Sequence, residues 1–263
     1  VEDVRALLPL GCPRCVFVKG EVDSACRDHA DFLARLTHAE DGRTCLHVAA
    51  SRGQAEMVKL LADAPGGRRL VHAADESGAS ALFAAAEEGH VKAVRALLKR
   101  GGAKLLAKLD NQGLSCLHVA VLEGHVPVVR ALLELDRALI ERGDGRREPL
   151  VMQCDQQGVS CLYTAAEEGY LEIVELVLAA GGEDLMMLAK NNGYTCLYIA
   201  AEQGHVEIVK ALLAAPGGRR LLSKLNRNGW SCLSAAVMLN NREVVQVLVE
   251  AGGRELLMQT LND

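Results

Sequence analysis

Asn191-Asn192-Gly193-Tyr194-Thr195-Cys196-Leu197-Tyr198-Ile199-Ala200-Ala201-Glu202-Gln203-Gly204-His205-Val206-Glu207-Ile208-Val209-Lys210-Ala211-Leu212-Leu213 is one phrase that the chain repeats. Asn191-Asn192-Gly193 is turn chemistry, because Asn tolerates left-handed backbone and Gly adopts it freely. Thr195 stands where a hydroxyl caps the free N–H groups of a following helix. Cys196 to Gln203 reads as that helix, and Gly204 takes the positive φ that ends it. His205 then opens a second helix whose Val206, Val209, Leu212 and Leu213 recur at helical spacing, until Pro216-Gly217-Gly218 stops it. Neither helix is long enough to stand alone in water. Each must lay its apolar stripe on the next copy.

The phased glycines stand at 42, 78, 113, 158, 193 and 229, at steps of 36, 35, 45, 35 and 36 residues. That period marks a stacked-repeat protein, and it favours a surface that holds another molecule over a pocket for chemistry. Composition agrees. Half of the 263 residues are hydrophobic but only 3% are aromatic, so the core is Ala, Leu and Val at close helix–helix approaches. With 29 basic against 34 acidic residues, the chain lacks a nucleic-acid footprint. It has no run of about 18 apolar residues to span a membrane. Nine cysteines, an odd number mostly locked to the repeat phase, suit a reducing cytoplasmic or nuclear setting.

Residues about 40–261 resemble the ankyrin repeat. Thr44-Cys45-Leu46-His47 and Ser115-Cys116-Leu117-His118 occupy the place of that family's Thr-Pro-Leu-His, and Val-x-x-Leu-Leu runs follow. The departures are regular: Cys replaces Pro in five copies, with Ala81 in the sixth, and Gly-Gly-x-x-Leu-Leu replaces the usual Gly-Ala-Asp. The resemblance implies an all-α fold, an α-solenoid of stacked helix-turn-helix units with hairpin-like turn tips. Repeats start near 40, 75, 110, 155, 190 and 226 within an array over 42–263. Residues 1–41 read as a partial repeat helix plus a Cys/His-containing insert, and a second insert lies at about 134–154. Val1–Leu8 matches Val91–Leu98, and Leu256–Asp263 matches Leu221–Asn228, so the expectation is a monomeric segment of a longer array.

The first insert holds Cys12-Pro13-Arg14-Cys15 and, further on, Cys26 and His29 at i and i+3. Two Cys two residues apart grip a metal from one knuckle, and a Cys and His on one helical face complete a tetrahedron. These four are candidate ligands of a structural zinc; the alternative is that they are ordinary small packing residues. No other cofactor is required. The phased cysteines Cys45, Cys116, Cys161, Cys196 and Cys232 are expected to be reduced, since equivalent helices lie about 8–10 Å apart and a disulfide needs Cα atoms within roughly 7 Å. For the columns His47/His118 and His90/His125/His205 the resemblance implies structural bonds between copies. Glu87-Glu88 and Glu167-Glu168 are adjacent on their helices and so point apart, with no nucleophile around them. The chain does not read as an enzyme.

The resemblance places partner binding on the concave surface of turn tips and first helices. The residue after each phased glycine is Arg43, Ala79, Leu114, Val159, Tyr194 and Trp230, a column that turns apolar and then aromatic. Before the inter-helix glycine stand Ser51-Arg52, Glu87-Glu88, Leu122-Glu123, Glu167-Glu168, Glu202-Gln203 and Met238-Leu239. Four consecutive copies therefore carry acid there. The expected partner is a protein segment, basic and with bulky apolar anchors, held by Leu114, Val159, Tyr194, Trp230, Met238, Glu87, Glu88, Glu123, Glu167, Glu168, Glu202 and Gln203. Two further readings stay open: a regulatory or targeting segment of a larger enzyme or channel, and an inhibitory effector.

Overall fold

The computed structural model describes residues 41–143 and 148–259. By their internal contacts they divide into two units. One runs up to Val119 and takes in Glu134–Arg146; the other holds Ala120–Leu133 and continues from Arg147. In the first lie α1 (Cys45–Ser51), α2 (Ala55–Asp63), α3 (Gly67–Val71), α4 (Ala81–Glu87) and α5 (Val91–Leu106). Helices α6 (Cys116–Leu122) and α7 (Val126–Glu141) contribute residues to both units. The second contains a 3-10 turn (Leu150–Met152), α8 (Cys161–Glu168), α9 (Leu171–Met186), α10 (Cys196–Gln203), α11 (Val206–Ala214), a 3-10 turn (Gly218–Ser223), α12 (Cys232–Met238) and α13 (Arg242–Gln259).

The architecture is the expected all-α repeat solenoid. In the first unit α1 packs on α4 and α2 on α5; in the second α8, α10 and α12 follow one another, as do α9, α11 and α13. Leu46, Leu82, Leu117, Leu162, Leu197 and Leu233, one per copy, are at most 4% exposed. Truncating such a leucine to Ala costs about 2–5 kcal/mol. The small column Ala50, Ala86, Val121, Ala166 and Ala201 is fully buried, which is why these positions are short; its last member, Val237, is 59% exposed.

All six phased glycines have positive φ, from 69° to 87°. Single antiparallel bridges close the tips at Ala74–Ser80, Leu109–Ser115, Cys154–Ser160 and Ala189–Thr195. Neighbouring tips are tied by backbone: in the first unit the Asn111 N–H donates to the Ser77 carbonyl at 2.9 Å, and in the second the Asn191 N–H donates to that of Gln157 at 2.8 Å.

Each second helix is followed by a further helical turn, which the sequence pattern does not announce. In five copies it buries an apolar pair: Leu70-Val71, Leu105-Leu106, Leu150-Val151, Leu185-Met186 and Leu221-Leu222 are all at most 6% exposed, whereas in the sixth Leu256 is buried and Leu257 exposed. The Gly-Gly pair makes the corner. Gly182 has φ 59° and ψ −149°, a region only glycine enters at low cost, while a Cβ on Gly181 would meet Leu185 at 2.6 Å. Of the insert expected at 134–154, Glu134–Glu141 prolongs α7, and Leu150 and Val151 supply the buried pair of that copy.

Candidate protein-interaction surface

The first helix of each copy is set by its capping residue, and what that residue bonds decides what the helix presents. In the first unit His47 closes the cap on itself. Its Nδ1 accepts from the Thr44 N–H at 3.1 Å and lies 2.8 Å from the Thr44 hydroxyl. A ring nitrogen that accepts there leaves the other to donate, and Nε2 reaches the Ala79 carbonyl of the next copy at 3.1 Å. His118 pairs with the Ser115 hydroxyl at 2.9 Å. In the second column His90 bonds the Ser51 carbonyl and, in the second unit, His205 that of Glu167, each at 3.0 Å. The structural role expected for His47, His90, His118 and His205 is thus the one they play.

The phased thiols are reduced as well. Cys116, Cys161, Cys196 and Cys232 are buried, whereas Cys45 is half-exposed. Cys161 and Cys196 send their S–H groups back to the carbonyls of Val151 (3.4 Å) and Met186 (3.7 Å), in the extra turn of the preceding copy. A carbonyl left open at a helix end thereby gains a donor that proline does not have. Burial pushes the thiols of Cys161, Cys196 and Cys232 up to about 12, so they stay protonated and inert.

Of the residues expected to meet a partner, the first unit holds Glu87 and Glu88 on α4, half-buried and exposed, and half-buried Leu114 at a tip. The Asp110 carboxylate holds that tip, accepting from the Gln112 and Leu114 N–H groups at 2.8 Å each. The second unit holds the rest. Glu123, Glu168 and Gln203 are exposed; Val159, Glu167, Tyr194 and Glu202 are half-buried. Trp230 and Met238 are 38% and 60% exposed, and together they open onto a cavity of about 480 Å³ floored by Leu233, Val245 and Val249.

Glu167 and Glu202 lie close enough to influence one another. Burial first, then Glu168 and Glu202, raises the Glu167 carboxyl, while Lys190 works in the opposite sense. One helical turn before each of these carboxylates stands a residue that the sequence reading passed over. Tyr163 and Tyr198 replace the His of the first unit; their caps, Ser160 and Thr195, accept from the Tyr163 and Tyr198 N–H groups at 3.2 Å instead of holding a ring. The freed Tyr198 ring stacks on Tyr194, centroids 4.5 Å apart. Lys190 lies over Tyr163, its Nζ 5.9 Å from the ring centroid. Burial, then Glu202 and Tyr194, pushes the Tyr198 phenol up to about 12. The departure from the His column and the Lys in a turn that Asp or Asn closes in four other copies were the signals that could have exposed this cluster.

The candidate zinc ligands Cys12, Cys15, Cys26 and His29 lie outside the described residues. Among the described residues no three His, Cys, Asp or Glu side chains gather to hold a metal ion. Among them, too, no helix is long and apolar enough to cross a membrane.

A family model described as ankyrin repeats (3 copies) matches residues 22–108, 68–144, 104–187, 138–219 and 162–259. No curated protein matches the chain. The overlapping matches cover most of its length, and the chain belongs to the ankyrin-repeat family. Ankyrin repeats are in general protein–protein interaction modules, and typically non-enzymatic.

Proposed function

We propose that this ankyrin array is an interaction module for a basic protein segment bearing bulky apolar side chains. The observation that carries the reading is the surface of the second unit. There the acids Glu167, Glu168 and Glu202 are followed, one copy on, by exposed Trp230 and Met238 around an apolar cavity. Large exposed apolar groups rimmed by charge mark binding sites, and Trp is a frequent anchor. A guest segment in this reading lays its cations along the acids of the first helices and inserts an apolar side chain beside Trp230.

Display of random peptides against the purified chain tests it. Peptides rich in Lys or Arg with an aromatic or large aliphatic residue are the expected outcome. Trp230→Ala should weaken the selected peptide about tenfold or more, the loss of a binding hot spot. Reversal of Glu123, Glu168 and Glu202 to Lys should weaken it further. Unchanged affinity in both variants discards the reading.

One observation favours a second occupant of the cavity. Ala201, the counterpart of Val237, is fully buried in a copy whose first helix is covered by α12. The face carrying Val237 therefore also suits another helix pair stacked in register. Peptide binding that survives Trp230→Ala but is blocked by Glu167→Lys would assign the cavity to such a pair and the acids to the guest.

A further inference from the structure

The fifth copy breaks a turn rule that other copies keep. Asp75, Asp110, Asp155 and Asn226 stand three residues before the phased glycine, and each aims one side-chain oxygen at two N–H groups of its own turn. At Asp155 both bonds, from Gln157 and Val159, are 2.8 Å; at Asn226 the donors are Asn228 and Trp230, at 2.8 and 2.9 Å. Position 190 is a lysine, which offers only donors. Its turn keeps a single substitute, from the Tyr194 N–H to Asn192 Oδ1 at 3.3 Å. The ammonium goes to the Tyr163 ring instead. A cation above a ring at that distance is a weaker arrangement than a carboxylate capping two N–H groups. Turn stability therefore does not explain this lysine.

What surrounds it does. Tyr163 and Glu167 are one helical turn apart on α8, Tyr198 and Glu202 hold the same places on α10, and the two helices pack together. Tyr194 backs Tyr198 in a stack whose planes differ by 24°. Tyr163 is only 5% exposed, yet its hydroxyl has no hydrogen-bond partner among the described residues. Both carboxylates act on that phenol: burial and then Glu167 and Glu202 raise it far above the ordinary range. The cluster thus combines ring faces, a phenol hydroxyl with no protein hydrogen bond among the described residues, two carboxylates on adjacent helices, and one internal cation already drawn to it.

We propose that Tyr163, Tyr198, Glu167 and Glu202 form a receptor for one arginine side chain of a bound segment, and that Lys190 holds the site until that guanidinium displaces it. This rests on the reading of the surface as a seat for a basic segment. Arginine is the cation that fits. Its planar group stacks on a tyrosine face, and its fork of donors reaches two carboxylates on different helices and the Tyr163 hydroxyl together. A lysine ammonium is a point charge, and Lys190 already supplies one.

The test is an NMR titration of the full chain with Nα-acetyl-arginine methylamide, against its isosteric uncharged citrulline analogue. The arginine probe should shift the ring resonances of Tyr163, Tyr194 and Tyr198 in a saturable way, and the citrulline probe should not. Lys190→Met, which removes the competitor, should tighten the arginine probe about three- to fivefold, the scale of one exposed cation–π contact. Lys190→Asp should do the same while restoring the turn, and Glu167→Gln with Glu202→Gln should abolish the response. Equal shifts with both probes, or an unchanged dissociation constant in both Lys190 variants, overturns the proposal. The two readings fail separately. Selected basic peptides that are indifferent to Lys190→Met refute the arginine receptor alone. A saturable arginine response without enrichment of any basic peptide refutes the wider groove alone.

Discussion

At Asp110 and at Lys190 the chain solves the same turn in opposite ways. One oxygen of the Asp110 carboxylate is engaged locally, by two N–H groups at 2.8 Å, which ties the side chain to its own turn. The ammonium of Lys190 leaves its turn underbonded and reaches across to Tyr163 of the preceding copy. The same contrast runs along the first helices. His47 spends both ring nitrogens, on its cap and on the Ala79 carbonyl, whereas the Tyr163 hydroxyl at the equivalent place is uncommitted. Within a repeat, a polar side chain whose bonding capacity is used up locally is structural. One freed from that duty is where recognition chemistry is to be sought.

The largest effect that breaks this comparison is expected at the saturated end. His47→Ala leaves the Thr44 N–H without its acceptor, an unmade buried bond costing about 1–3 kcal/mol, and takes one of two donors from the Ala79 carbonyl, which keeps the Asp75 N–H. A total loss of about 2–4 kcal/mol on that basis should appear in the denaturant midpoint. Tyr163→Phe, at the equivalent place, should cost less than about 1 kcal/mol, since no protein hydrogen bond is broken. Equal losses would mean that the two columns do not differ as described.

Exchanging the turn residues should have the next largest effect. Asp110→Lys is expected to destabilise by about 1–3 kcal/mol, because charged acceptors make the stronger hydrogen bonds. Lys190→Asp should stabilise by about 0.5–1.5 kcal/mol, the net value of a typical bond regained. Thermal unfolding of the two variants checks both signs. A Lys190→Asp chain less stable than the parent would show that the cation over Tyr163 outweighs the turn.

These contrasts also show what a sequence of this kind discloses. The phased glycines, the caps at Ser160, Thr195 and Ser231 and the burial of the Leu46-to-Leu233 column follow from rules one residue or one helical turn long. So does the reading of His47, whose neighbour in the bond network is three positions away. The extra helical turn did not follow, because Gly-Gly ordinarily ends a helix. Only the buried pairs after it, such as Leu185-Met186, make a corner through Gly182 worthwhile, and their burial is set by the next copy. Half of the candidate surface was legible: Tyr194, Trp230 and the acids stand in plain columns. Tyr163, Tyr198 and Lys190 were not, since a lysine in a turn and a tyrosine a whole repeat earlier come together only after α8 and α10 stack.

The smallest expected effect is on pH, and it again falls on the saturated column. Burial lowers the pKa of His47 below its ordinary value, with the Ala79 carbonyl acting the other way. The geometry supplies the reason: the Thr44 N–H points at Nδ1, so a second ring proton has no place to go. With the folded value depressed, the unfolded chain binds the extra proton more readily as pH falls below about 6.5. The contribution of His47 to stability is therefore complete above that pH and declines as pH falls toward the folded value. His72, whose pKa is lowered by burial and then by Lys108, Lys104 and Arg68, adds a change of the same sign. His47→Tyr, which copies the arrangement at Tyr163, should lose less stability than the parent between pH 7 and pH 5 in urea titrations. Parallel losses would leave His72 or other groups as the source. A steeper loss in the variant would contradict the proton count on which the distinction between the two columns rests.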